Sequence, residues 1–186
     1  WSFLDEQQHI SLNMWCPLHE VSYQMGQFYL IPGSHHFQPT IRGSHTPEWY
    51  EHLYDVMPPF EKQIELAPGE AVFFYHGIIH SSKPNQTDKT RICVGTSVVP
   101  AGLPLEFHFA ESPTRLLKYH FTPTDYQEYA PLRAHKPTTK QPVSEHTLEF
   151  RKMPVEEFIQ KALAAQPDAE QRWKAFQGAQ YSIPQA

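Results

Sequence analysis

The segment Gly69–Ser82 reads Gly-Glu-Ala-Val-Phe-Phe-Tyr-His-Gly-Ile-Ile-His-Ser-Ser, an apolar run that closes on a histidine. His80 ends the run, Ser82 lies two positions on, and Arg91 opens the next strand-like run eleven residues after His80. Imidazole is a good ligand for iron. A guanidinium grips a carboxylate through paired N–H donors and does not lose its charge. A hydroxyl beside it adds one hydrogen bond. A dicarboxylate cosubstrate that binds through a metal needs this set of groups. Taken alone the spacing is a weak signal, because a histidine at a strand end is more often structural.

The elements that must position these groups are short strands. His9 to Pro17 alternates polar and apolar residues, as a half-buried strand does. Gln27 to Ile31 reads as a second strand and runs into the turn Pro32-Gly33-Ser34-His35. Thr46 to Tyr54 reads as a short helix with Thr46 as N-cap and Pro47 in the first helical position. Lys62 to Leu66 alternates again. Ala71 to Tyr75 and Ile78 to Ser81 read as one strand interrupted at Gly77. Arg91 to Val99 and Leu105 to Ala110 are further strands, and Leu116 to Phe121 is either a strand or part of a helix. Pro131 to Val143 is a surface loop, and helices are expected over Pro154 to Ala165 and Ala169 to Phe176. Short strands with Pro and Gly turns, followed by late helices, indicate a mainly β fold: a double-stranded β-helix, or jelly roll, with added helices. In that fold His80 and Arg91 come to one mouth of the barrel. One domain is expected over residues 1–186, with the jelly-roll core at about 1–110 and a helical and loop extension at about 111–186.

The upstream half strengthens the reading. Ser11-Leu12-Asn13-Met14-Trp15-Cys16-Pro17-Leu18, then Met25-Gly26-Gln27, then Leu30-Ile31-Pro32-Gly33-Ser34-His35 resembles the phytanoyl-CoA dioxygenase family. In that family a strand ending in Trp is followed by a turn with Gly and then by Leu/Ile-Pro-Gly-Ser/Thr-His. The spacing from Trp15 to His35 is similar, as is the block from Gly69 through His80 and Asn85 to Arg91. The resemblance covers roughly Trp1 to Val99 and implies a non-haem iron(II), 2-oxoglutarate-dependent oxygenase. It implies His80 as the distal iron ligand, Arg91 as the partner of the 2-oxoglutarate C5 carboxylate, and Ser82 and Trp15 as further 2-oxoglutarate contacts. The Pro-Gly-Ser-His turn is a structural signature there, so His35 is not a ligand candidate.

The family pattern also needs a His-x-Asp pair, since two imidazoles and a carboxylate leave three positions open on the iron. No histidine of this chain is followed two positions later by Asp or Glu. The expectation is that the pair lies immediately before Trp1, so that the chain is a piece truncated at its N-terminus. Two other readings stay open: a halogenase, in which a small residue replaces the aspartate, and a non-catalytic jelly-roll protein that binds a small molecule without iron. Asp5 reads as a loop acid rather than a substitute ligand. His35, His36 and His45 are spaced irregularly and read as turn or solvated histidines. Asn13 shares a strand face with Trp15 and is a substrate candidate, as is His76, four residues before His80. Asn85 holds the turn between His80 and Arg91. Tyr23, Tyr29 and Tyr75 read as core or rim aromatics.

Composition narrows the partners. The 186 residues carry a net charge of −5, with 12 His and 18 Pro. No basic stripe tracks a phosphate backbone, which argues against nucleic acid. No apolar run approaches the roughly 20 residues that span a bilayer, which argues against a membrane partner. Cys16 and Cys93 read as buried, reduced thiols in a cytoplasmic protein. The expected partner is a small organic substrate, with hydroxylation as the default outcome; the oligomeric state is left open.

Overall fold

The computed structural model describes residues 2–37, 39–129 and 135–180. Six strands wind between two sheets. They are β1 (Leu12–Pro17), β2 (Phe28–Leu30), β3 (Lys62–Ile64), β4 (Val72–Tyr75), β5 (His80–Ser82) and β6 (Cys93–Val98). The first sheet has the order β4-β1-β6 and the second β3-β2-β5, and all these pairings are antiparallel. The chain changes sheet after β1, β3, β4 and β5, so hydrogen-bonded neighbours are mostly distant in sequence. This winding is the jelly roll, and the fold is mainly β.

Alternation sorts the side chains. Phe28, Phe74 and Ile78 are buried between the sheets, with Trp15, Leu30, Ile64 and Val72 packed against them. A third antiparallel sheet, β7 (Leu105–Ser112), β8 (Arg115–Phe121) and β9 (Ser144–Thr147), carries its own cluster of Phe107, Phe109, Leu117, Tyr119 and Phe121. Strand β7 is tied to the rest by a parallel bridge between Ser44 and Phe109 and by the bond from Glu106 N to Phe3 O.

The largest cluster lies beneath the long β2–β3 connection. Helix α1 (Pro123–Tyr129) follows β8, and α2 (Val155–Ala165) and α3 (Ala169–Gln180) close the described chain. Pro154 precedes α2, and Glu156 and Glu157 in its first turn complement the positive end of the helix. Its Phe158 and Ala162, one turn apart, are fully buried against Ile31, Phe37, Leu53 and Phe60. Gln166 Nε2 donates to Phe60 O at 3.0 Å, and His52 Nε2 lies 2.8 Å from Met153 O. The C-terminal helices thereby clamp the connection that leads away from β2.

Several expectations change. The run Ala71 to Ser81 is not one interrupted strand: β4 and β5 belong to different sheets. A tight turn, with Ile78 N bonded to Tyr75 O at 3.0 Å, swings the chain across. The helix expected from Thr46 begins later, as a 3-10 turn over Glu51–Val56. Thr46 Oγ1 instead accepts from Gly43 N and donates to Gly43 O, which closes a separate turn. Cys93 is exposed rather than buried, because β6 is an edge strand whose six residues all face solvent. Residues beyond 110 form strands β8 and β9 as well as helices and loops. Part of the expected loop over Pro131 to Val143 lies outside the described residues. Among the described residues no helix is long and apolar enough to cross a membrane.

Phe158 is 0% exposed and meets Phe60 and Phe37 edge-on at ring-centroid distances of 5.7 and 6.1 Å. Phe158→Ala is expected to cost about 3–5 kcal/mol, read from the midpoint of denaturant unfolding; a loss under about 1 kcal/mol would show that the helices are not part of this core.

Candidate active site

His80 is the first residue of β5, opposite Leu30, and Ser82 lies two positions on, opposite Phe28. Both therefore share the face that Phe28 turns inward. On the other sheet Asn13 stands opposite Phe74 and Ser97, and Trp15 opposite Val72 and Gly95. Asn13, Trp15, Phe28, Phe74, His80, Ser82 and Ser97 line one open cavity of about 460 Å³. The structure thus brings His80, Ser82, Trp15 and Asn13 together from both sheets.

Aromatic rings wall the histidine. Phe74 lies 4.8 Å and Phe28 5.7 Å from the His80 ring, and Trp15 stacks on Phe28 at 5.3 Å. His80 Nδ1 lies 2.9 Å from Ile78 O. A carbonyl only accepts, so Nδ1 carries the proton and Nε2 keeps a free lone pair. Desolvation lowers the His80 pKa, although the bond to Ile78 opposes the shift. Neutral imidazole with a fixed tautomer is the metal-binding form.

The strand that carries His80 is pinned by the Pro32-Gly33-Ser34 turn. Ile31 N donates to Ile79 O at 2.9 Å, and Ile79 N donates to Ser34 Oγ at 2.7 Å. Ser34 is 0% exposed, so this hydroxyl is a buried acceptor that no water replaces. Gly33 has φ +78°, and a Cβ there would stand 2.4 Å from Ala165 Cβ of α2. Only glycine allows both the dihedral and the close approach. The turn read as a structural signature therefore sets the register of the histidine strand.

Arg91 precedes β6 and does not line the 460 Å³ cavity. Its Nη1 donates to Met25 O at 3.2 Å and to Gly26 O. Gly26 has φ +81°, and a Cβ there would meet Lys83 O at 2.0 Å and Arg91 Nη1 at 2.7 Å. The guanidinium is thus tied by one nitrogen to the Met25-Gly26 turn. Asn85 holds the loop between His80 and Arg91: its Oδ1 accepts from Thr87 N at 3.0 Å and its Nδ2 donates to Lys89 O at 2.7 Å.

His76 is not beside His80 on one strand face, because the turn after β4 separates them. It is buried, with Nδ1 2.7 Å from Ser11 Oγ and Nε2 3.0 Å from Ser97 Oγ. It borders two other cavities, one of about 210 Å³ shared with His80, Arg42, Trp49 and Tyr50, and one of about 350 Å³ shared with His9, His35 and His36. His35 stacks on Tyr75 at 4.5 Å. Asp5 accepts from Gln7 N at 3.0 Å and Gln8 Nε2 at 2.8 Å, as a loop acid does. Tyr29 is buried, whereas Tyr23 and Tyr75 are 62% and 41% exposed. Among the described residues no group of three His, Cys, Asp or Glu side chains is placed to hold a metal. Sequence reasoning missed Phe28 and Phe74 as walls of the site and Ile78 as the tautomer-setting carbonyl; only the apolar pattern around His80 hinted at them.

A profile of the phytanoyl-CoA dioxygenase (PhyH) family matches residues 1–93 of the 186. The chain belongs to that family. Among solved structures it is similar to the non-haem α-ketoglutarate-dependent carbocyclase SnoK from nogalamycin biosynthesis, at 23% identity and a TM-score of 0.39, over 52% of this chain and 38% of that one. No curated protein matches the chain.

Burial lowers the His76 pKa from 6.5 to about 3. Between those values the unfolded chain binds a proton that the folded chain refuses. Stability therefore falls as pH drops from about 6.5 towards 3 and is level above that window. His76→Gln is expected to remove a slope of ~1.4 kcal/mol per pH unit from unfolding free energies measured between about pH 4 and 6. An unchanged slope would place the buried proton uptake elsewhere.

Proposed function

We propose that the protein is an iron(II)- and 2-oxoglutarate-dependent dioxygenase that hydroxylates a small organic molecule. The observation that carries the proposal is His80: an exposed imidazole at a strand start, walled on one side by Phe28 and Phe74, with Nδ1 on the Ile78 carbonyl and Nε2 free, in an open cavity with Ser82 and Trp15. Family membership points the same way. These residues fit one ligand position of an iron(II) site and part of a dicarboxylate site. No histidine of the chain is followed two positions later by Asp or Glu, so the residues present supply that one ligand position.

Bound iron(II) and 2-oxoglutarate would supply the electrons that activate oxygen, chemistry that protein side chains lack. The chain's own residues do the rest. His80 Nε2 gives an imidazole ligand whose direction the Ile78 carbonyl fixes. Ser82 offers a hydroxyl on the same strand face, and Arg91 offers the charge that a distal carboxylate needs. Phe28, Phe74 and Trp15 exclude water from one side of the histidine and hold a planar, apolar wall against the bound molecules. The cavity shared by His80, Trp49, Tyr50 and His76 adjoins on the other side and is the proposed substrate side.

The reading is tested by anaerobic absorption spectroscopy of the full-length protein on adding iron(II) and then 2-oxoglutarate. A visible metal-to-ligand charge-transfer band is expected, absent in His80→Ala and weakened at least about tenfold in apparent 2-oxoglutarate affinity in Arg91→Ala, as loss of a charge-assisted pair implies. A folded protein that gives no band would overturn the oxygenase reading in favour of a binding protein without iron.

A further inference from the structure

Three hydrogen bonds run in series from a buried serine to the cavity. Ser11 Oγ lies 2.7 Å from His76 Nδ1, His76 Nε2 lies 3.0 Å from Ser97 Oγ, and Ser97 Oγ donates to Asn13 Oδ1 at 3.1 Å. The series links the start of β1 to β6 and to the turn after β4. Ser11 is 3% and His76 7% exposed, and the Phe3 ring covers His76 at 4.7 Å.

The direction of the series follows from its last link. A hydroxyl has one hydrogen, and that of Ser97 goes to Asn13 Oδ1. Ser97 Oγ must then accept from His76 Nε2–H. Neutral imidazole has a single N–H, so Nδ1 accepts from the Ser11 hydroxyl. Burial keeps the ring neutral, with its pKa lowered to about 3, so the direction does not change with pH in the working range. Every hydrogen bond points towards Asn13 Oδ1. The amide N–H pair of Asn13 is left for the cavity it shares with His80, Trp15 and Ser82.

A dicarboxylate presents acceptors at both ends. Ser82 and Arg91 suit one end. Asn13 stands further along β1 from Arg91 than Trp15 does, since Arg91 precedes the end of β6 that pairs with Pro17. It therefore suits the other end, beside His80. We propose that Asn13 reads the 2-oxoglutarate carboxylate nearer His80 through its amide N–H donors, and that Ser11, His76 and Ser97 are positioning residues that hold the amide in that orientation. This rests on the oxygenase reading above. An amide orients a carboxylate without neutralising it, so the carboxylate keeps its charge for a metal.

The test is the dissociation constant of 2-oxoglutarate for the full-length, iron(II)-loaded protein without oxygen, followed by titration calorimetry. Asn13→Ala is expected to weaken binding roughly tenfold, as loss of a hydrogen bond to a charged group does, and Asn13→Asp to weaken it further by repulsion. Ser97→Ala, which frees the amide, is expected to weaken binding by about threefold to tenfold, and Ser97→Thr, which keeps the hydroxyl, to restore it. Asn13→Ala binding within about twofold of the unaltered protein, while Arg91→Ala loses 2-oxoglutarate, would overturn this inference and leave the oxygenase reading standing. Unaltered binding in both Arg91→Ala and Asn13→Ala would overturn both.

Discussion

The bond from Ile79 N to the buried Ser34 hydroxyl, beside that from Ile31 N to Ile79 O, anchors the crossing from one sheet to the other. A strand that changes sheets leaves backbone groups without ladder partners at the crossing. In the interior such groups must find other acceptors. Here the acceptor is a side chain on a turn whose own shape needs glycine at Gly33. That turn is in turn packed by Ala165 of α2. The C-terminal helices, though remote in sequence from the site, therefore bear on the segment that sets where His80 begins.

The site divides into an aromatic half and a polar half. Phe28, Phe74 and Trp15 remove water from one side of His80. In that setting a neutral imidazole is favoured over a charged one. The polar half is built from groups whose hydrogen bonds are directed in advance: Nδ1 of His80 on Ile78 O, Nη1 of Arg91 on the Met25 and Gly26 carbonyls, and Oδ1 of Asn13 on Ser97. Each is held through one atom and retains donor or acceptor capacity on another. Groups already oriented lose less freedom on binding a ligand.

The expectation of a single strand over Ala71 to Ser81 failed for a local reason. Apolar residues on both sides of Gly77 read alike whether the chain bends within a sheet or leaves it. The choice lies in partners more than 40 residues away, Ser34 among them. Cys93 misled in the same way: an apolar setting in sequence suits a buried strand and an edge strand equally, and only the pairing shows that β6 lies at an edge. The local pattern of Leu116 to Phe121 suits a strand or a helix, and its pairing with β7 and β9 makes it a strand.

Period-two alternation and Pro-Gly turns determined, from the sequence alone, that the first half is a set of short strands, because those signals report local backbone geometry. The spacing of Trp15, the Pro32-Gly33-Ser34 turn, His80 and Arg91 determined the family resemblance and the chemistry expected of it. The tertiary structure alone decided that His80, Ser82, Trp15 and Asn13 share one cavity while Arg91 leans on the neighbouring turn, that His76 serves a buried hydrogen-bond series, and that late helices brace an early turn. Those facts depend on which strands pair across long sequence separations and on which buried donors find acceptors. Both are set by packing, which no local pattern records.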